Sequence, residues 1–174
     1  MGSLFRDAFD HHIWATQRLI DSFRDLTPEQ LATPAHPTFG SVLETLRHLV
    51  AADVWYLTFF PVEQQPPLDE KAATSLDELH RVITRNGELW ADVLAQAVDG
   101  DEEIVEHGDG WDFYSPLGFR LAQAVHHGTD HRSEIWIALT NVGVTPPDMD
   151  LWAYGEATGR TRGVYHSPEP AADA

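Results

Sequence analysis

The sequence contains no cysteine. Disulfides, zinc–thiolate sites and a cysteine nucleophile are therefore excluded, and any metal site must be built from His, Asp or Glu. Basic residues are scarce as well: 11 stand against 28 acidic ones, for a formal net charge of −17. The only lysine is Lys71. Such a surface repels phosphate backbones, and no basic patch offsets it, so nucleic acid is not expected as a partner. The charge reads most simply as a solubility feature. Long apolar runs are missing too, so no membrane partner is expected. Nor does the opening Met1-Gly2-Ser3-Leu4-Phe5-Arg6 contain the apolar core of a secretory signal. The expected location is cytoplasmic.

What is present suits one folded domain: 174 residues, 43% of them hydrophobic. Apolar residues spaced by three and four predict a first helix over 4–24, with Ile13, Leu19 and Phe23 on its face. Thr27-Pro28 opens one short helical turn. Ser41 with Glu44 starts a second long helix that runs to about Phe60 and stops at Pro61. Ser75 with Glu78 starts a third, ending near Val98. Alternating residues around Gly108-Asp109-Gly110 predict a small hairpin. A fourth long helix is expected from Ser115 as N-cap, with Pro116 in its first position, to about Asn141. A short helix follows over 148–157. The fold class is all-α: a four-helix bundle over residues 1–160 with a small hairpin between helices three and four, then a mobile tail over 161–174.

Ten histidines are distributed along the chain, and two of them carry a pattern. His127 and His131 are four apart on the fourth helix, so they lie only about 40° apart around its axis, one turn above the other. Two imidazoles so placed can chelate one ion. Glu134 falls about 20° to the other side of His127, on the same stripe, whereas His126 points about 100° away. His48, on the second helix, borders an apolar face made by Val42, Leu46, Leu49, Leu57 and Phe60. Alone it would be an ordinary core histidine. Converging with the other two, it would complete an open three-imidazole site of the catalytic type. Spacing does not say whether the second and fourth helices face each other. Asp53 falls inside the apolar face of the second helix, and a buried carboxylate needs a partner. Arg132 or a ligand imidazole would serve.

Several of these pieces together resemble the DinB/YfiT family: His48 with Trp55 seven residues on, His127-Gly128-Thr129-Asp130-His131-Arg132, and Pro146-Pro147 with Met149-Asp150. Trp14-Ala15 with Leu19 is similar to its opening helix. The resemblance implies a four-helix bundle, usually a homodimer, with His48, His127 and His131 binding a divalent metal. Members with known activity include metal-dependent transferases that use a low-molecular-weight thiol. Thr16 stands where the family often has Asn, and Ser133-Glu134 where it often has Gly-Gln. Glu134 is thus a candidate fourth ligand, outer partner or general base, or simply a solvated helix residue.

The function these readings favour is a metal-dependent transfer of a low-molecular-weight thiol to a small electrophilic substrate. With no cysteine in the chain, the thiol would come from a cofactor such as bacillithiol, mycothiol or glutathione. Metal-dependent hydrolysis is the rival chemistry. A non-catalytic metal-binding stress-response module, or a bundle whose histidines bind nothing, are the other readings. Imidazole ligands suit zinc or nickel first, with iron and copper also compatible.

Overall fold

Short polar side chains cap most of the helices. In the computed structural model, which describes residues 5–35, 40–97 and 99–163, α1 spans Arg6–Ser22 and passes into a 3₁₀ turn at Phe23–Asp25. The four-residue α2 (Pro28–Leu31) opens with a capping box between Thr27 and Gln30. At α3 (Val42–Leu57), Ser41 Oγ accepts from Glu44 N at 3.2 Å while Glu44 Oε2 accepts from Ser41 N at 2.7 Å. Each exchange satisfies backbone N–H groups that have no partner within the helix. Ser75 caps α4 (Leu76–Ala95) in the same way, but the Glu78 carboxylate turns to Arg81 instead of closing the box. Asp150 caps the short α6 (Leu151–Thr158), accepting from Ala153 N at 2.7 Å.

Strands β1 (Glu103–Gly108) and β2 (Trp111–Pro116) form the expected antiparallel hairpin. Gly110 takes φ 79° at its turn, a conformation that favours glycine. β2 runs straight into α5 (Leu117–Asn141), which corrects the expected helix start. Ser115 pairs with Ile104 in the hairpin, and its Oγ accepts from Arg120 Nε at 2.8 Å, so it is held extended rather than free to cap. Pro116 takes the N-cap position. The first helical N–H groups, of Leu117 and Gly118, donate to the carbonyls of Glu102 and Gly100, each at 2.8 Å. Two ends fall short of expectation. α3 stops at Leu57, because the chain tightens into three-residue turns before Pro61. α4 stops at Ala95, where Gln96 turns extended, and residue 98 lies outside the described residues. Of the expected tail, Thr161 is held by its N–H to Gly155 O at 3.0 Å, and 164–174 lie outside the described residues.

The long helices pack in the ring order α1, α4, α3, α5, each against the next and α5 against α1. Two apolar clusters fill the interior. Leu19 and Ile20 of α1 with Phe23 of the 3₁₀ turn, Leu46 and Leu49 of α3, Leu79 and Ile83 of α4, and Ile135 and Leu139 of α5 make the first. Phe9, Leu57, Phe60, Leu89, Trp90, Val93, Leu117 and Leu121 make the second. Shared ends within each cluster fix the directions: α1 and α5 run one way, α3 and α4 the other. Because α3 and α4 are parallel neighbours, the segment joining them must travel the length of the bundle. On α5 the two clusters leave a gap between Ala124 and Ile135, and it is filled by His127, Gly128, His131 and Arg132.

Candidate metal centre

α3 and α5 are adjacent, which spacing alone left open. Their packing brings His48 onto His127 and His131. The Nε2 atoms of His48 and His127 are 3.1 Å apart, as are those of His127 and His131. One nitrogen from each of the three rings lies within 4.8 Å of the others, so the group could hold a metal ion. A tetrahedral ion with imidazole nitrogens at about 2.0–2.1 Å would set those nitrogens roughly 3.3–3.4 Å from one another. The His48–His127 and His127–His131 separations are close to that spacing. His126 is exposed and outside the cluster, as its helical position required.

Two carboxylates act on the outer edges of the rings. His48 Nδ1 lies 3.0 Å from Glu70 Oε2, and His131 Nδ1 lies 2.8 Å from Glu134 Oε2. An Nδ1–H that donates to a carboxylate leaves Nε2 as a bare lone pair facing the cluster, the form a metal takes. Glu134 thus sits behind His131, one helical turn along α5. Glu70 comes from the long α3–α4 segment, and nothing in the spacing marked it. Burial, with His131 and His48 close by, pushes His127 down to about 4, so its ring stays neutral in the physiological range. Tyr56 meets the same ring edge-on, with centroids 5.6 Å apart.

Directly behind this cluster lies a layer of buried polar groups. Asp53 is buried, as expected, but it bonds to neither Arg132 nor a ligand imidazole. Its oxygens take Asn86 Nδ2 at 2.7 Å, Trp90 Nε1 at 3.0 Å and His12 Nε2 at 3.1 Å. The other nitrogen of His12, Nδ1, accepts from the Arg132 guanidinium at 3.0 Å, and Thr16 Oγ1 accepts from the same NH1 at 3.1 Å. His12 therefore bridges Asp53 and Arg132 as a neutral ring with its proton on Nε2. Arg132 was one position off as a partner for Asp53 because His12, from α1, takes the space between them. The sequence held a signal for this layer. Phe9, His12, Thr16 and Leu19 of α1, continued by Phe23 in the 3₁₀ turn, form one buried three–four stripe, and Leu79, Ile83, Asn86, Trp90 and Val93 form that of α4. A polar residue on a core stripe requires a polar partner at the same level.

Gly128 makes the His12 position possible. A Cβ there would come 2.2 Å from His12 Cε1 and 2.4 Å from its Nδ1. The ring thus lies against the backbone of α5 between the two candidate ligands on that helix.

His48 also forms part of the wall of two adjoining clefts, with Glu70 common to both. One, of about 490 Å³, is lined by Ala51, Ala52, Val54, Trp55, Gln65 and Leu68 among others. The second, of about 310 Å³, is lined by Glu44, Arg47 and Lys71. Among the described residues no helix is long and apolar enough to cross a membrane.

The sequence profile of the DinB family matches residues 1–167. Protein DinB of Bacillus subtilis is 19% identical over 155 residues, which cover 84% of this chain and 90% of that protein. A crystal structure of a DinB-like protein from Bacillus cereus aligns with a TM-score of 0.60 at 18% identity, covering 84% of this chain and 97% of that one.

Proposed function

We propose that this chain, which belongs to the DinB family, binds one divalent metal ion through Nε2 of His48, His127 and His131 and transfers a low-molecular-weight thiol to a small electrophile. The observation that carries the reading is the convergence of these three nitrogens, with Glu70 and Glu134 holding two of the rings from behind. Three protein donors leave room for a substrate atom, the pattern of catalytic rather than structural sites. A divalent ion there supplies Lewis acidity and lowers the pKa of a thiol or water that reaches it.

The residues around it have separable tasks. Glu70 and Glu134 orient His48 and His131 and keep their protons on Nδ1. In this reading Glu134 acts through the contact of its Oε2 with His131 Nδ1, rather than as a ligand or general base. The Asp53–His12–Arg132 bridge fixes α1 against α5. The nucleophile is a small thiol, since the chain has no cysteine. Zinc or nickel suits the all-imidazole donor set first. The protein acts in the cytoplasm as a homodimer, which sedimentation at micromolar concentration would register as twice the mass of the chain.

The test uses tag-free protein. Elemental analysis is expected to find close to one zinc or nickel per chain, falling sharply in His48→Ala, His127→Ala and His131→Ala. Thiol conjugation to a panel of electrophiles should stop on chelation and return with metal. Hydrolysis of ester and amide substrates without thiol consumption would favour the rival chemistry. Three single variants with undiminished metal content would overturn the site.

A further inference from the structure

A carboxylate that is itself half exposed can orient an imidazole only if the backbone carrying it is held. Glu70 is such a group. Its side chain is 47% exposed, and it stands in the irregular α3–α4 connection. Among the described residues, two hydrogen bonds tie residues 65–74 to the long helices: Glu70 to His48 of α3, and Gln65 to Asn86 of α4. The direction of the second bond is fixed by its surroundings. Asn86 is fully buried, and its Nδ2 donates to Asp53 at 2.7 Å. An ionised carboxylate only accepts, so the amide cannot turn round without losing that bond. Asn86 Oδ1 therefore faces the connection, where Gln65 Nε2 donates to it. The connection is thus pinned to the buried layer that runs through Asp53 and His12 to Arg132.

The chain between this pin and Glu70 is stiff. Pro66 and Pro67 have a fixed φ, and a residue that precedes proline is pushed to extended backbone, so Gln65 and Pro66 are restricted as well. Leu68 then packs against the first apolar cluster. A stretch of this kind carries a displacement at Gln65 along to Glu70 instead of absorbing it locally.

We propose that Gln65 is a positioning residue for the metal centre: its bond to Asn86 sets the register of the connection, and so where Glu70 meets His48 Nδ1. Removing the Gln65 amide then has two separable effects. It leaves the buried Asn86 Oδ1 without its donor, which lowers stability. It also lets Glu70 drift from His48, which lowers metal affinity. Only the second effect requires the Glu70 carboxylate, and this separates positioning from a merely structural role. The affinity readout rests on the metal reading, but the hold of Glu70 on His48 can be read without metal.

The experiment measures zinc affinity by chelator competition for Gln65→Ala in three backgrounds: wild type, Glu70→Gln and Glu134→Gln. Affinity should fall about three- to tenfold in the wild type and by the same factor in Glu134→Gln, whose carboxylate serves the other ring. In Glu70→Gln it should not fall further, because the group that Gln65 places is already gone. If Gln65→Ala unfolds, the exposed pair Pro66→Gly and Pro67→Gly takes its place in the same cycle; it keeps the bond to Asn86 and removes the stiffness. In parallel, imidazole nitrogen shifts of metal-free protein at about pH 8 report which nitrogen of His48 carries the proton. The proton should sit on Nδ1 in the wild type and spread over both nitrogens in Gln65→Ala and in Glu70→Gln alike. If the wild type takes up no zinc, the metal reading falls and these shifts alone decide the role of Gln65. An affinity unchanged by Gln65→Ala, an equal further loss in Glu70→Gln, or His48 shifts that respond to Glu70→Gln but not to Gln65→Ala overturns the proposal.

Discussion

Gly128→Ala should destabilise the protein, against the ordinary rule for helix glycines. In a helix interior, replacing Gly by Ala normally stabilises by about 1 kcal/mol. Here the added methyl would lie 2.2 Å from His12 Cε1 and 2.9 Å from Arg132 NH1. Non-bonded carbons rest roughly 3.5–4.0 Å apart, so the ring would have to retreat by more than about 1 Å. His12 cannot do so and keep its bonds to Asp53 at 3.1 Å and to Arg132 at 3.0 Å. Overpacking of a filled interior costs about 1–3 kcal/mol. Leaving a buried partner unsatisfied adds about 1–3 kcal/mol. Subtracting the helix gain, the net loss is about 1–5 kcal/mol, or roughly 2–20 °C in Tm for a domain of this size. Urea and thermal unfolding of metal-free protein would measure it. The decisive comparison is the same substitution in a His12→Ala background, where the space is open and the sign should reverse to a gain of about 1 kcal/mol. If Gly128→Ala stabilises the protein with His12 intact, the packing argument is wrong.

Two further outcomes follow. Glu70→Gln and Glu134→Gln should each weaken zinc affinity about 10–100-fold without removing a ligand, as measured by competition with a chromogenic chelator; unchanged affinity would mean that the carboxylates do not orient the rings. Metal-free protein should lose stability in mild acid. His127 is pushed down to about 4 from an ordinary 6.5, so between those values the unfolded chain holds a proton that the folded chain refuses. The stabilisation is therefore full above the unfolded value and fades as pH falls toward about 4. Because the ring is partly open to solvent, screening reduces the effect to about 1–2 kcal/mol. Chelator-treated His127→Gln should show a flatter pH dependence in melts, and parallel curves would refute the assignment.

The helices were legible because their signals are local. Ser41 with Glu44, Thr27 with Pro28 and the three–four apolar stripes all act within one or two turns, and the hairpin was marked by its glycines. The i, i+4 pair His127 and His131 was legible on the same ground. What the sequence could not supply was the neighbour of each helix. Whether α3 faces α5 depends on the total packing, so the place of His48 rested on resemblance to a family. The burial of Asp53 could be read from its own stripe, but its partners stand on α1 and α4, far along the chain. The start of α5 was misplaced for a related reason. Ser115-Pro116 is a good local start signal, and it lost to pairing with Ile104 across the hairpin, which holds Ser115 extended while its Oγ goes to Arg120. Glu70 lay in a stretch with no periodicity, where only the finished bundle decides which side chain meets which.

The long α3–α4 segment has an evolutionary consequence. The imidazoles are anchored in helices whose interior faces tolerate little change. One wall of the clefts beside His48, with Gln65, Pro67, Leu68, Glu70 and Lys71, is drawn from a connection that is largely exposed. Lengthening such a segment costs little in closure entropy, since each doubling adds only about 0.6 kcal/mol. Descendants of one ancestral bundle can therefore exchange this strip of chain, and with it the molecules they admit, while inheriting the same three histidines. Diversity of substrate would then collect in the connection and sameness of chemistry in the helices.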